Sequence, residues 1–351
     1  MTAIQSIRTE TDWRAVLAAA LCGIAVAMNV GKVPIALPQL RAEFGLSLVA
    51  AGWVSSMINT LAMVSGTFFG LLGDRFGALR MCFAGLALSI WSAYMPAGVG
   101  LAMLLAPAVM PLGGWRGIWL LTLAVLLVAA LGIHQSRPAY RLPPHGDAEP
   151  HPLAAARQAL AQPAPWLLAF AMGSWTIQHF ALIVWLPTFL KKRRGFGALT
   201  VSILSCLMVL ANVPGNLIGG RLLQKNYHRG NLIAGASLIT GLCGVGVFLD
   251  LLPDLLRYAL CVTLSFVGGL IPSAVLSASA SLARTPKQVG TLQGLFMQVG
   301  NLGSFLSPPL IAAIVAASGL WRDALRVTAS AALVGVVLGV MLSRLEGRVR
   351  R

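Results

Sequence analysis

Ten apolar stretches of bilayer-spanning length, separated by short polar breaks, set the plan of this chain. They run over residues 15–38, 47–73, 81–111, 116–134, 165–189, 198–223, 231–252, 257–283, 290–316 and 321–343. About 20 apolar residues cross the hydrocarbon core as a helix, so the pattern predicts an all-α polytopic membrane protein. One polar interval is much longer than the others. Between Gln135 and Ala164 the chain carries Pro138, Pro143, Pro144, Pro150, Pro152 and Pro163, as in a linker between two helical groups. The expected division is a shortened N-terminal bundle over 1–134, a linker over 135–164 and a six-helix bundle over 165–351.

Residues 81–112 break the regularity. They form one apolar run, about 48 Å long as a helix and too long for a single upright span. Tilt, or a break at Pro96 and Gly98, is expected to fit it into the bilayer. The first run, 15–37, follows Arg8 and Arg14 as a secretion leader would, but its 23 residues exceed the apolar part of a leader.

Composition agrees with the pattern: 57% of residues are hydrophobic and 10% charged, beyond what a water-soluble core of this size requires. The net charge of +16 would suit nucleic acid, yet the basic residues stand singly or in short clusters between apolar runs, without a basic face interleaved with aromatics. They act as topology signals. With the N-terminus inside, the intervals on one side collect Arg75, Arg80, Arg137, Arg141, Arg157, Arg221, Lys225, Arg229, Arg284, Lys287 and the tail arginines, which satisfies the positive-inside rule; Lys191, Lys192, Arg193 and Arg194 are the exception. Both termini are therefore expected in the cytoplasm. Five cysteines without paired spacing are expected as free thiols. His145, Asp147, Glu149 and His151 alternate in a proline-rich loop, a poor metal-ligand spacing, so neither metal nor cofactor is expected.

The chain also repeats itself. Leu37-Pro38 matches Leu186-Pro187, and Gly66 and Gly70 match Gly215 and Gly219, all at an offset of 149 residues. Near the ends of the halves, Gly114-Trp115-Arg116 pairs with Leu320-Trp321-Arg322 at an offset of 206. The first half is thus 57 residues shorter, the length of two helices with their loops, and the missing block falls between Arg80 and Trp115.

Between the second and third runs lies Gly70-Leu71-Leu72-Gly73-Asp74-Arg75-Phe76-Gly77-Ala78-Leu79-Arg80. Small residues there permit close helix approach, while Asp74 sits where a helix N-terminus and nearby arginines hold it. This turn resembles the helix 2–3 loop of the major facilitator superfamily, with Leu79 in place of one usual basic residue and Arg80 keeping the charge. On that resemblance the fold is a twelve-helix, two-bundle transporter lacking two helices. The start of the long run, Met81 to Leu88, resembles a third helix and Trp91-Ser92-Ala93-Tyr94-Met95-Pro96 a fifth, fused near Ser89-Ile90. Gly70, Asp74, Arg75, Gly77 and Arg80 would form the gating motif. Met28-Asn29-Val30-Gly31-Lys32, the Trp91–Pro96 stretch and Asn212-Val213-Pro214-Gly215-Asn216 further resemble the cyanate-transporter-like branch, implying a small anion as substrate.

Charge inside the spans points the same way. Lys32 stands about two thirds along the first helix, where Gly31 and Pro34 are expected to loosen the backbone. It either meets a ligand or snorkels to the outer interface; the six residues before Pro38, about 9 Å of helix, favour a ligand. All ten acidic residues lie outside the spans or at their ends, which argues against a carboxylate proton relay and for an anionic solute. The repeat sets Asn29 opposite Gln178, beside His179, a carrier for a coupled proton or a neutral ring satisfied by its neighbours. Gln298 and Asn301 add amides, and Tyr94 and Trp175 are deep enough to cover a ligand or to pack the bundle, whereas Trp53 is expected in packing and Trp13, Trp115, Trp119, Trp166, Trp185 and Trp321 at the interface. The expected function is secondary active transport of a small solute by alternating access. A degenerate remnant without transport is the first alternative. A membrane enzyme or channel fits less well, for the spans hold no catalytic constellation or carbonyl filter.

Overall fold

The computed structural model describes residues 13–60, 62–68, 94–136, 152–249, 251–285 and 288–349. The motif at 70–80, the fusion near Ser89 and most of the linker lie outside these residues. Among those described, regular structure is helical throughout, and nine stretches are long and apolar enough to cross a membrane.

Helix α1 (Trp13–Phe44) runs without interruption through Pro34 and Pro38. Gly31 does not open it. A Cβ on Gly31 would stand 2.8 Å from the Val99 Cα and 3.0 Å from the Ala102 Cβ, and one on Gly98 2.6 Å from the Ala27 Cβ. These glycines let two backbones touch, the usual means of holding helices together in lipid, where apolar burial drives little association.

The partner is α3 (Tyr94–Gln135), drawn as one helix of 42 residues but turned at Gly114, whose φ of 58° and ψ of −153° are not helical. Its contacts show two antiparallel arms. Along 94–113, Tyr94 lies beside Gly23, Gly98 beside Ala27 and Gly114 beside Gln39, a parallel course with α1. Along 115–135 the order reverses: Arg116 meets Glu43, Thr122 meets Lys32 and Gly132 meets Ala18. The chain therefore turns back at Gly114, in the short interval expected between the third and fourth runs; the first part of the run at 81–112 lies outside the described residues. Pro96 and Gly98 sit inside the helix. The arms supply the fifth- and sixth-type spans, so the nine stretches hold ten crossings.

Helix α2 (Leu48–Ser56) begins at a Ser47 N-cap whose hydroxyl accepts from the Ala50 N–H, and its span continues to Phe68. Among the described residues it packs more on α12 than on α1.

After a short amphipathic helix, α4 (Pro152–Leu160), the C-terminal spans are α5 (Pro163–Arg194), α6 with α7 (Ala198–Leu210, Asn212–Gln224), α8 (Arg229–Phe248), α9 to α11 (Asp254–Gly268, Leu270–Leu276, Ala278–Leu282), α12 (Val289–Ser318) and, after a 3-10 turn at Trp321–Ala324, α13 (Leu325–Val349). Helix α5 is the axis of this group and packs on α12 and α13. Glycine again permits close approach: Gly215 receives the Phe266 and Gly269 backbone, and Gly268 receives the Trp175 ring. Asn212 donates to the Ser265 carbonyl at 2.8 Å, fixing α7 against α9.

The two halves meet along α2–α12, α3–α6 and α1–α5. At the first seam, Gly52 faces Pro308 and Pro309, Gly66 faces Gly294 and Gln298, and Trp53 stands edge-on to Phe305 at 5.5 Å. Leu37, Ala181, Val184 and Trp185 form an apolar cluster that joins α1 to α5 near the Gly114 end of the molecule. At the opposite end α4 docks on α12, where the Gln288 amide donates to the Ala155 carbonyl at 3.0 Å.

Candidate functional site

Lys32 is 8% exposed and enclosed by neutral groups. Its Nζ donates to Asn29 Oδ1 at 2.6 Å and Thr122 Oγ1 at 3.3 Å, and lies 4.6 Å from the centre of the Trp119 ring. Among the described residues no carboxylate comes within ion-pair distance of it. A cation held by an amide, a hydroxyl and an aromatic face is solvated by dipoles and a quadrupole and keeps its net charge. At 100° per residue, Lys32 stands about 150° around α1 from Val30 and Leu37, which touch the clusters of the C-terminal half. The ammonium thus faces the second arm of α3, inside the N-terminal half.

The second group sits on α5. His179 Nε2 is 3.1 Å from Ser265 Oγ, and its ring stacks on Trp175 at 4.7 Å and 17°. Both residues are buried. Gln178, one position earlier, looks another way and bonds its own helix at the Ser174 carbonyl. Asn29 does the same with the Ala25 carbonyl at 3.0 Å. These residues and their acceptors are related by the 149-residue offset, so the repeat extends to a local hydrogen bond.

The remaining candidates lie apart. Gln298 accepts from the Thr67 N–H at 3.1 Å and from the Thr67 hydroxyl, binding α12 to α2. Asn301 donates to the Met297 carbonyl at 2.7 Å within its own helix. Tyr94 packs against Gly23, nine residues or about 13 Å of helix before Lys32. The structure therefore joins Lys32 with Asn29 and Trp175 with His179, and places Tyr94, Gln178, Gln298 and Asn301 elsewhere. Gly70, Asp74, Arg75, Gly77 and Arg80 lie outside the described residues.

Two aromatic expectations change. Trp185 is only 3% exposed, folded inward against Trp321, and so is no interfacial anchor. Trp53 packs on Phe305 yet stays 45% exposed on the outer side of α2. Sequence reasoning also missed Thr122 and Ser265 and set Trp119 at the interface, whereas its ring meets Lys32; the three complete the two groups. The signal for Thr122 was present: Thr328 lies 206 residues on, and the two hydroxyls bond equivalent carbonyls, of Trp119 and Leu325.

Comparison with known proteins decides the family. A model of the Major Facilitator Superfamily matches residues 83–308, more than half of the chain. The chain belongs to the major facilitator superfamily. The "Probable sulfoacetate transporter SauU" of Cupriavidus necator is 29% identical over 177 residues, 49% of this chain and 40% of that protein. The "Probable galactarate/D-glucarate transporter GudP" of Pseudomonas putida is 29% identical over 154 residues, 41% of this chain and 33% of that one. The chain thus spans less than half the length of these two relatives. The 2-nitroimidazole transporter of Escherichia coli is 24% identical over 388 aligned positions, covering 94% of this chain and 96% of that one. Among solved structures, a bacterial homolog of the human lysosomal transporter Spinster, inward-facing and unoccupied, superposes with a TM-score of 0.62 at 16% identity, covering 95% of this chain and 98% of that one. A variant of the Escherichia coli fucose:proton symporter FucP gives a TM-score of 0.59 at 12% identity, covering 94% and 99%. Both are likenesses of fold. The protein is an integral membrane member of a transporter superfamily.

Proposed function

We propose that this superfamily member moves a small organic anion across a bacterial inner membrane by alternating access, with both termini in the cytoplasm. The observation that carries this reading is Lys32, a buried ammonium met by neutral groups. An anion reaching it forms a charge-assisted hydrogen bond and removes the cost of an uncompensated intramembrane charge. Relatives named for sulfoacetate and for galactarate and glucarate carry carboxylates or sulfonates, which supports the same class. In this reading the halves 1–134 and 165–351 rock about the linker, the turn from Gly70 to Arg80 biases the gate, and His179 carries a coupled proton.

The test is thermal unfolding of the purified protein against sulfoacetate, glucarate, cyanate and nitrate, followed by uptake into proteoliposomes. One anion is expected to raise the midpoint, with Lys32→Ala weakening its binding by about tenfold or more. A cooperative transition indifferent to every anion would overturn the anion assignment. A broad transition together with absent uptake would favour a degenerate remnant.

A further inference from the structure

A carboxylate is already held at the Gly114 end of the molecule. Glu43, in the last turn of α1, accepts from Trp115 Nε1 at 2.7 Å on one oxygen and from Arg116 Nη2 at 2.8 Å on the other. Both side chains of the ion pair reach solvent, 63% exposed for Arg116 and 35% for Glu43. Recognition here goes through one positive charge and two N–H groups aimed at a pair of oxygens, a pattern that suits any carboxylate or sulfonate.

Arg116 does not depend on Glu43 for its place. Its guanidinium also lies 4.4 Å from the centre of the Trp115 ring, and that ring is set by Phe44 at 6.1 Å and by an edge-on Trp119 at 5.4 Å. Trp119 in turn lies 4.6 Å from Lys32 Nζ. An unbroken row of contacts, from Arg116 through Trp115 and Trp119 to Lys32, thus joins an exposed cation to the buried one. Aromatic rings hold a cation without neutralising it, so the guanidinium stays placed and charged when Glu43 swings away. Arg116 stands six residues, about 9 Å of helix, from Thr122, which touches Lys32. A small anion therefore meets the two cations in succession.

We infer that Arg116 and Trp115 Nε1 form an outer capture site for the carboxylate or sulfonate end of the transported anion, and that Glu43 is a tethered competitor displaced by the anion on its way to Lys32. This rests on the reading of Lys32 as an anion site and on the topology that sets the Gly114 end outside. An ion pair so open to solvent is held weakly, which lets a solute anion exchange for it.

The test is quenching of tryptophan fluorescence by iodide, with neutral acrylamide as control, on the full chain in phosphatidylcholine nanodiscs. Glu43→Gln is expected to raise the iodide quenching constant by about threefold and Arg116→Gln to lower it by as much, with acrylamide unchanged. The double variant follows Arg116→Gln, and both effects vanish in Trp115→Phe. Sulfoacetate protects against iodide wherever Arg116 is present, and Lys32→Ala keeps this protection while losing the anion-induced rise of the thermal midpoint. A midpoint rise lost in Lys32→Ala, beside iodide quenching indifferent to Glu43 and Arg116, would overturn the capture site and leave the Lys32 reading standing. Equal changes for iodide and acrylamide, or protection by added phosphatidylglycerol in place of sulfoacetate, would also overturn it.

Discussion

Lys32 takes its character from Thr122 and Asn29 as much as from its own charge. Replacing Thr122 with Val removes one of two neutral hydrogen bonds at constant shape; a stability loss of about 1 kcal/mol is expected in reversible unfolding, with anion binding weakened in parallel. Gly31 answers to a different force. Gly31→Val drives a branched side chain into the Val99 backbone and is expected to cost about 1–3 kcal/mol or more, whereas Gly113→Ala, with open space around its Cβ, should stay within about 0.5 kcal/mol. On α5, His179→Gln keeps a polar side chain near Ser265 but cannot titrate. If His179 carries the coupled proton, solute uptake by this variant loses its pH dependence while anion binding at fixed pH persists. Lys32 was visible in the sequence because a cation within an apolar run is rare. Its surroundings were not, because Thr122 and Trp119 are ordinary residues in an apolar run until the chain turns back at Gly114. Gly31 and Pro34 misled for a related reason: glycine beside proline suggests a loosened helix, yet a neighbouring helix pressed against the glycine holds the backbone straight.

Elements were the most legible scale. The length ruler located the spans because lipid demands about 20 apolar residues per crossing, a constraint stronger than any single side chain imposes. The position of the turn between the third and fourth runs was harder, since Pro107, Pro111, Gly113 and Gly114 all invite one. The structure settles it by backbone geometry. Only Gly114 takes a left-handed φ, and its missing Cβ also leaves room for the Gln39 amide. Gly114→Ala should therefore lose about 1–2 kcal/mol of stability in an unfolding titration, more than the same change at Gly113. The clasp beyond the turn, Glu43 accepting from Trp115 Nε1 at 2.7 Å and from Arg116 at 2.8 Å, is exposed to solvent screening and adds little to stability.

At the scale of the whole molecule the halves are unequal partners. Among the described residues, the C-terminal spans pack chiefly on one another, while α2 draws most of its contacts from α12 across the seam. The repeat makes the asymmetry concrete. Gly215 receives α9 and α10 within its own half, but its counterpart Gly66 receives Gly294 and Gln298 of α12. Gly66→Leu should separate α2 from α12, abolishing uptake while α5 to α13 still unfold cooperatively. Equal loss of both would mean that α2 is structural cement rather than part of a moving seam. The Gly114 turn has a further consequence for how the protein is made. Its arms are joined by a short turn with Arg116 as the one charged residue near it, so little that is hydrophilic has to be carried across the bilayer between them. The pair can partition into lipid as one hairpin, in a single event, and it returns the chain to the compartment it left. A synthesis machine reading this segment thus meets a reversible excursion, and α5 enters in the same direction however many such excursions precede it.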